Sequence, residues 1–258
     1  MPKLAVNLTM LFTEVPFLDR FEKAAEAGFS AVEFQFPYDF PATDIAERLT
    51  RNNLHLVLFN IPAGDWAAGD RGLAANLDRQ DEFRAGVARA IEYAQVLRPE
   101  RINLLVGAAP ESPESDLALL QNIRHAAEEL ADYGFNMTIE PVNTMDVPDF
   151  AVPTSRAALD LIDELELSNL SLQLDIYHAL RMNEDPVSII REHTDKIGHI
   201  QIADVPGRHQ PGTGGVDFYE LFRSIDESGY DGWVALEYNP EGLTEDGFGL
   251  LRDMDLLS

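Results

Sequence analysis

Eight short apolar runs, each followed by a stretch long enough for a helix, recur along the whole chain, and this alternation limits the fold more than any other feature. The runs are Leu4–Leu8, Ala31–Phe36, Leu54–Asn60, Arg101–Val106, Asn136–Glu140, Ser171–Ile176, Gly198–Ala203 and Trp233–Glu237. Between the first two, Phe17, Leu18, Phe21, Ala24 and Ala25 return at helical spacing until Gly28, a C-capping residue. Asp81–Leu97 repeats the pattern at Phe83, Val87, Ile91, Ala94 and Val96 and stops before Pro99. Leu117–Leu130, Ala157–Leu165, Val187–His193 and Phe218–Ser228 behave alike. Strands separated by helices must run parallel, because each return needs a crossover. An open doubly wound sheet and a closed barrel both satisfy that order. The count of eight favours closure, as does the first strand's ending in Val6-Asn7-Leu8-Thr9 rather than a glycine-rich dinucleotide loop.

At 258 residues the chain is close to the roughly 250 of one (β/α)8 TIM barrel. No linker or change of composition divides it, so residues 1–258 are expected to form a single TIM-barrel domain of the α/β class. One longer insertion stands out after the third run, Pro62-Ala63-Gly64-Asp65-Trp66-Ala67-Ala68-Gly69-Asp70-Arg71-Gly72. Loops of this length often serve as lids or binding segments.

The chain contains no cysteine, which removes disulfides, zinc-thiolate sites and a cysteine nucleophile together. A metal site must then use oxygen donors and at most the six histidines, and hard oxygen ligands favour Mg2+ or Mn2+. Acidic residues number 45 against 19 basic ones, a formal charge of −26. Such a surface repels a phosphate backbone, and the arginines are scattered, so nucleic acid is not an expected partner. No apolar run approaches the ~18–20 residues that span a bilayer. Pro2-Lys3-Leu4-Ala5-Val6-Asn7 enters the first strand without the parts of a secretory signal. The expectation is a cytoplasmic protein without a membrane partner. Association into a homo-oligomer stays open, since no exposed patch is legible in sequence.

In a barrel, a residue that ends a strand at its C-terminal edge can point into the mouth. Four successive strands end on a side chain able to bind metal: Thr138-Ile139-Glu140, Gln173-Leu174-Asp175, His199-Ile200-Gln201 and Ala235-Leu236-Glu237. Any one of these can simply open a polar loop. Together, three carboxylates and an amide directed into one mouth call for a cation, and they suit an octahedral Mg2+ or Mn2+. His178 lies just past Asp175, as a loop residue or a site residue. Arg208, after the seventh strand, can grip an anionic substrate or lie exposed. Asn7 and Asn60 end strands one and three, where amides orient hydroxyls or close turns. Trp66 can cover the mouth or pack its own loop.

These residues, with several longer segments, carry a family resemblance. The segments are Asn7-Leu8-Thr9-Met10-Leu11-Phe12, Val32-Glu33-Phe34-Gln35-Phe36-Pro37-Tyr38, Asn60 to Gly69, Ile139-Glu140-Pro141-Val142-Asn143, Leu174-Asp175-Ile176-Tyr177-His178, Ile197 to Asp204, Pro211-Gly212-Thr213-Gly214 and Gly232 to Tyr238. The chain resembles the xylose-isomerase-like TIM-barrel superfamily and, within it, the hydroxypyruvate isomerase and 2-oxo-tetronate isomerase family. The resemblance implies that Glu140 and Glu237 are the catalytic acid/base pair, and that both contact a divalent metal with Asp175 and Gln201. It implies interconversion of hydroxypyruvate and tartronate semialdehyde through an enediolate, with a small hydroxy-oxo acid as partner. His178 or Arg208 would hold the substrate carboxylate. The alternative is a four-carbon 2-oxo sugar acid. Related sugar epimerases often place a histidine at the position of Gln201, which argues against that activity. After Asn143 come Thr144-Met145, where some members carry a histidine and an aromatic residue, and that departure touches substrate detail. More distant readings are an apurinic endonuclease, which needs a histidine-rich zinc cluster and a basic groove, and a non-catalytic sugar-binding barrel.

Overall fold

The structure, a computed structural model, describes residues 2–109 and 112–257. Eight parallel strands close into a barrel in sequence order: β1 (Lys3–Asn7), β2 (Ala31–Glu33), β3 (His55–Asn60), β4 (Arg101–Leu104), β5 (Asn136–Ile139), β6 (Leu170–Asp175), β7 (Ile197–Ile202) and β8 (Trp233–Leu236). Closure is made by β1 on β8, in register from Lys3↔Trp233 to Val6↔Leu236. The intervening helices are α1 (Arg20–Glu26), α2 (Ala42–Arg51), α3 (Gln80–Leu97), α4 (Pro113–Asp132), α5 (Ser155–Leu165), α6 (Ile176–Arg181), α7 (Pro186–His193) and α8 (Phe218–Ser228), with a final α9 (Gly249–Asp253). Local chemistry sets several starts. Thr154, Asp185 and Asp217 each accept a backbone N–H two or three residues on, and Pro186 opens α7 with a preset φ. Among the described residues, no helix is long and apolar enough to cross a membrane.

The strand expectations hold in number and place: β3 ends at Asn60 as expected, and the other strands end one to three residues earlier, most of all the expected Ala31–Phe36, which pairs only over Ala31–Glu33. Past Asp175 the chain does not loop. Asp175 accepts the N–H of Tyr177 at 2.8 Å and caps α6, which carries His178 as a buried helical residue.

Side chains alternate across each strand. One set packs outward under the helices: Leu4 and Val6, Ile102 and Leu104, Leu172 and Leu174, Ile200 and Ile202, Val234 and Leu236, all fully or nearly buried in one apolar cluster. Each such side chain stabilises the fold by about 1.5–3 kcal/mol. The inward set is different. On β8, β1, β2 and β3 its lower layer is Ala235, Ala5, Ala31 and Leu58, a small separate apolar cluster. On β4 to β7 the corresponding positions are Asn103, Thr138, Gln173 and His199, buried polar residues inside the barrel.

Candidate active site

Two residues beyond that layer, the same inward faces reach the mouth. They present Asn7, Glu33 and Asn60 on one half and Glu140, Asp175, Gln201 and Glu237 around the rest, all buried. The polar layer below aims them. Asn103 Nδ2 and Gln173 Nε2 donate to Glu140 Oε2 at 2.8 and 2.9 Å, and Gln173 Nε2 also reaches Gln201 Oε1 at 2.7 Å. Thr138 Oγ1 stands between Asn103 Oδ1 and Gln173 Oε1, at 3.1 and 3.2 Å. Glu33 closes the other side. Its Oε1 accepts from Asn7 Nδ2 at 2.8 Å and Gln201 Nε2 at 2.7 Å, while Oε2 meets His199 Nε2 at 2.5 Å. On β7, Gly198 leaves room for Ser171 of β6, since a Cβ there would stand 2.1 Å from Ser171 Oγ.

Glu237 stands above an alanine and is held from the side. Its Oε1 accepts from Asn7 Nδ2 at 3.0 Å and Gln35 Nε2 at 3.1 Å, and its Oε2 from Arg208 Nη2 at 2.6 Å. The same Arg208 nitrogen donates to Asp175 Oδ2 at 2.9 Å. Arg208 therefore grips the protein's own carboxylates, a role its sequence position did not reveal. The loop after β7 delivers it. Asp204 gathers the N–H groups of Val205, Gly212, Gly214 and Val216 on its carboxylate, folding the loop around itself. Arg208 takes a left-handed φ of 55° there, its carbonyl tied to Asn239 N at 2.8 Å. Such a conformation costs a non-glycine residue on the order of 1 kcal/mol, offset by these bonds.

His178 lies at the centre of the floor. Its Nε2 is 3.5 Å from Asp175 Oδ2 and 4.0 Å from Glu140 Oε1, and Glu140, Asp175 and His178 form a buried group with metal-binding potential. The other ring nitrogen decides its role. Asn143 Oδ1 accepts from Met145 N and Asp146 N, which turns Asn143 Nδ2 toward His178 Nδ1 at 2.6 Å; Asn143 N adds a second donor at 3.3 Å. Facing two donors, Nδ1 must accept, so the ring proton resides on Nε2. His178 thereby serves as a hydrogen-bond donor to the mouth, and the carboxylates are the better ligands.

Electrostatics follow from burial. Desolvation pushes the Glu140 carboxyl well above the usual carboxylate range, with Glu237 and Asp175 adding repulsion. Burial also raises Glu237, up to about 8, although Arg208 pulls it down. Asp175 is raised by burial against the opposing guanidinium. Burial, then Arg208, holds His178 well below the usual histidine range, keeping it neutral. Fully ionised, these three carboxyls would leave two negative charges beside one guanidinium in a desolvated mouth, and their raised values are the response to that excess. That excess, and an oxygen-rich donor set, fit a divalent cation of the Mg2+ or Mn2+ kind.

A cavity of about 230 Å3 opens over these groups, walled by Glu140, Glu237, His178, Arg208, Asn60 and Trp66. Of the residues expected from sequence, Asn60, Trp66, His178, Arg208 and two of the acids line it directly. Asp175 lies against His178 and Arg208. Gln201 and Asn7 stand just behind, each bonded to Glu33. Sequence reasoning passed over Glu33, Gln35, Arg71, Asn103 and Gln173. The available signal was a polar residue two positions before a strand-ending polar residue, as in Gln173-Leu174-Asp175.

The xylose isomerase-like TIM barrel family matches residues 21–254. Hydroxypyruvate isomerase of Escherichia coli (strain K12) is 46% identical over 258 residues, covering 99% of each chain. A 2-oxo-tetronate isomerase of Pectobacterium atrosepticum is 41% identical over 96% of each. Among solved structures, a Brucella melitensis protein described as an AP endonuclease, family 2, superposes with a TM-score of 0.95 at 42% identity, covering 98% of this chain and 99% of that one.

Proposed function

Because the chain belongs to the xylose isomerase-like TIM barrel family, we propose that this isomerase interconverts hydroxypyruvate and tartronate semialdehyde, with residues 1–258 acting as one domain. The two compounds differ by exchanging a carbonyl and a hydroxyl between neighbouring carbons. A base must take the proton from the hydroxyl-bearing carbon, and an acid must return one to its neighbour. The observation that carries the reading is the pair Glu140 and Glu237. They are buried on different walls of one cavity, with both carboxyls raised toward neutrality. Coupled carboxyls of this kind hold one proton between them over a range of pH. Arg208 on Glu237 Oε2 favours Glu237 as the ionised member and base, and Glu140 as the acid, with roles exchanged in the reverse direction. Glu140 Oε2 is fixed by Asn103 and Gln173, which leaves Oε1 to deliver the proton. His178 donates its Nε2–H to a substrate oxygen, Asn60 orients a hydroxyl, and Trp66 screens the mouth. Glu140, Asp175, Gln201 and Glu237 would hold the divalent cation. When bound, such an ion supplies a Lewis acid that stabilises negative charge on the substrate oxygens.

The test is turnover of hydroxypyruvate by purified protein with Mg2+ or Mn2+, in wild type, Glu140→Gln and Glu237→Gln. Wild-type turnover lost in both variants is expected, and activity retained in both would overturn the assignment. A second reading, the same reaction on a four-carbon 2-oxo acid, is supported by the 2-oxo-tetronate isomerase relatives; the larger kcat/KM of the two substrates decides it. The description of the Brucella melitensis protein raises DNA cleavage. A charge of −26 and a single histidine in the metal-capable group oppose that here. Incision of abasic-site DNA would reverse that judgement.

A further inference from the structure

Arg208 is spent on Asp175 and Glu237, so a substrate acid group arriving in the cavity needs another cation. The cavity wall carries one. Arg71, half-buried at the end of the 62–72 segment, lines the same space as Glu140 and Glu237. Its guanidinium lies 3.9 Å from the centroid of the Trp66 ring, and Trp66 in turn packs on Phe36 at 5.2 Å. Only Nη1 is engaged by hydrogen bonds, to the backbone oxygens of Trp66 and Asp70 at 3.1 and 2.7 Å. Among the described residues, Nε and Nη2 meet no acceptor and no carboxylate pairs with Arg71. The adjacent Asp70 carboxylate is held instead by Arg79 at 2.7 Å and by Asp65 N at 2.6 Å.

The backbone beside Arg71 is fixed. Gly72, at a φ of 122°, bridges to Val106, and a Cβ on it would lie 2.1 Å from Leu105 O. A Cβ on the facing Gly107 would lie 2.2 Å from Gly72 O, so only two glycines permit this approach. Arg71 is therefore stacked on a ring, rooted on β4's exit and left with one edge of its fork unused. That edge, two N–H groups side by side, is the arrangement that binds a carboxylate through both oxygens.

We propose that Arg71 anchors the substrate's carboxylate, making the site selective for oxo acids over uncharged ketoses; the inference rests on the isomerase reading above. Arg208 then serves to hold the reacting carboxylates, and the two arginines divide the tasks of binding and chemistry.

Calorimetric titration with glycerate, a three-carbon hydroxy acid that cannot isomerise, tests the subsite apart from turnover. Hydroxypyruvate kinetics run alongside on wild type, Arg71→Gln and Arg71→Lys, with circular dichroism checking the fold. Losing one charge-assisted contact should weaken glycerate at least about tenfold in Arg71→Gln, with partial recovery in Arg71→Lys. KM for hydroxypyruvate should rise by a similar factor, and kcat should fall no more than about threefold. Glycerate affinity and KM unchanged in Arg71→Gln, or no glycerate binding by wild type, would remove the anchor. Glycerate binding that depends on Arg71 in a wild type unable to isomerise hydroxypyruvate would keep the anchor and defeat the hydroxypyruvate assignment instead.

Discussion

The two halves of the barrel interior support their acids in opposite ways. Under Glu140 and Gln201, strands β4 to β7 supply Asn103, Thr138, Gln173 and His199, a buried polar layer whose donors fix side chains from below. Under Glu237, strands β8 and β1 to β3 supply Ala235, Ala5, Ala31 and Leu58, which fill space and donate nothing. Glu237 is instead steadied laterally by Asn7, Gln35 and Arg208. The polar half sets geometry through directional bonds, and the apolar half sets it through volume. Glu33 joins them, reaching from the apolar half to His199 and Gln201.

The severest break is at the acids themselves. Glu140→Gln or Glu237→Gln should lower kcat on the order of a thousandfold, the scale of general acid–base catalysis, while circular dichroism stays native. Next comes the polar layer. Gln173→Leu removes one of Glu140's two donors and frees Gln201 Oε1, so kcat should drop about 10–100-fold. The buried partners left behind should cost about 1–3 kcal/mol in urea unfolding.

A milder probe is pH in the metal-free protein. Glu237 titrates near 8 when folded and near 4.5 when unfolded, so its protonated form stabilises the native state. That contribution is complete below the unfolded value and is lost as pH rises through the folded one, at about 1.4 kcal/mol per unit for one group. Tm should fall between pH 5 and pH 8 (about the two titration points). Added Mn2+ should restore it most at the alkaline end, where the carboxylates are ionised. The smallest effect on chemistry belongs to the apolar half. Ala5→Val overfills the layer and should cost about 1–3 kcal/mol of stability, with kcat of the folded enzyme within about threefold. A kcat loss as large as that of Gln173→Leu would erase the distinction between the halves.

Much of this architecture is legible in sequence because it is local. Eight strand-length runs alternating with helical periodicity compel parallel strands and, at this length, favour the closed barrel that forms. The polar ends Glu140, Asp175, Gln201 and Glu237 follow from where each apolar run stops. The support beneath them does not. Which inward residues meet depends on register, and β3 and β7 each slip by one residue against β2 and β6. Asn7 bonds Glu237 across 230 positions and His199 meets Glu33 across 166. No periodicity encodes such pairs. The role of Arg208 turned on a loop folded about Asp204, and that of His178 on an amide held by its own backbone turn. Strand alternation and helix capping are properties of neighbouring residues, so the sequence alone determined the barrel and the rim of acids. The bonds that tell a holding residue from a reacting one exist only once the barrel closes, and they belong to the tertiary structure.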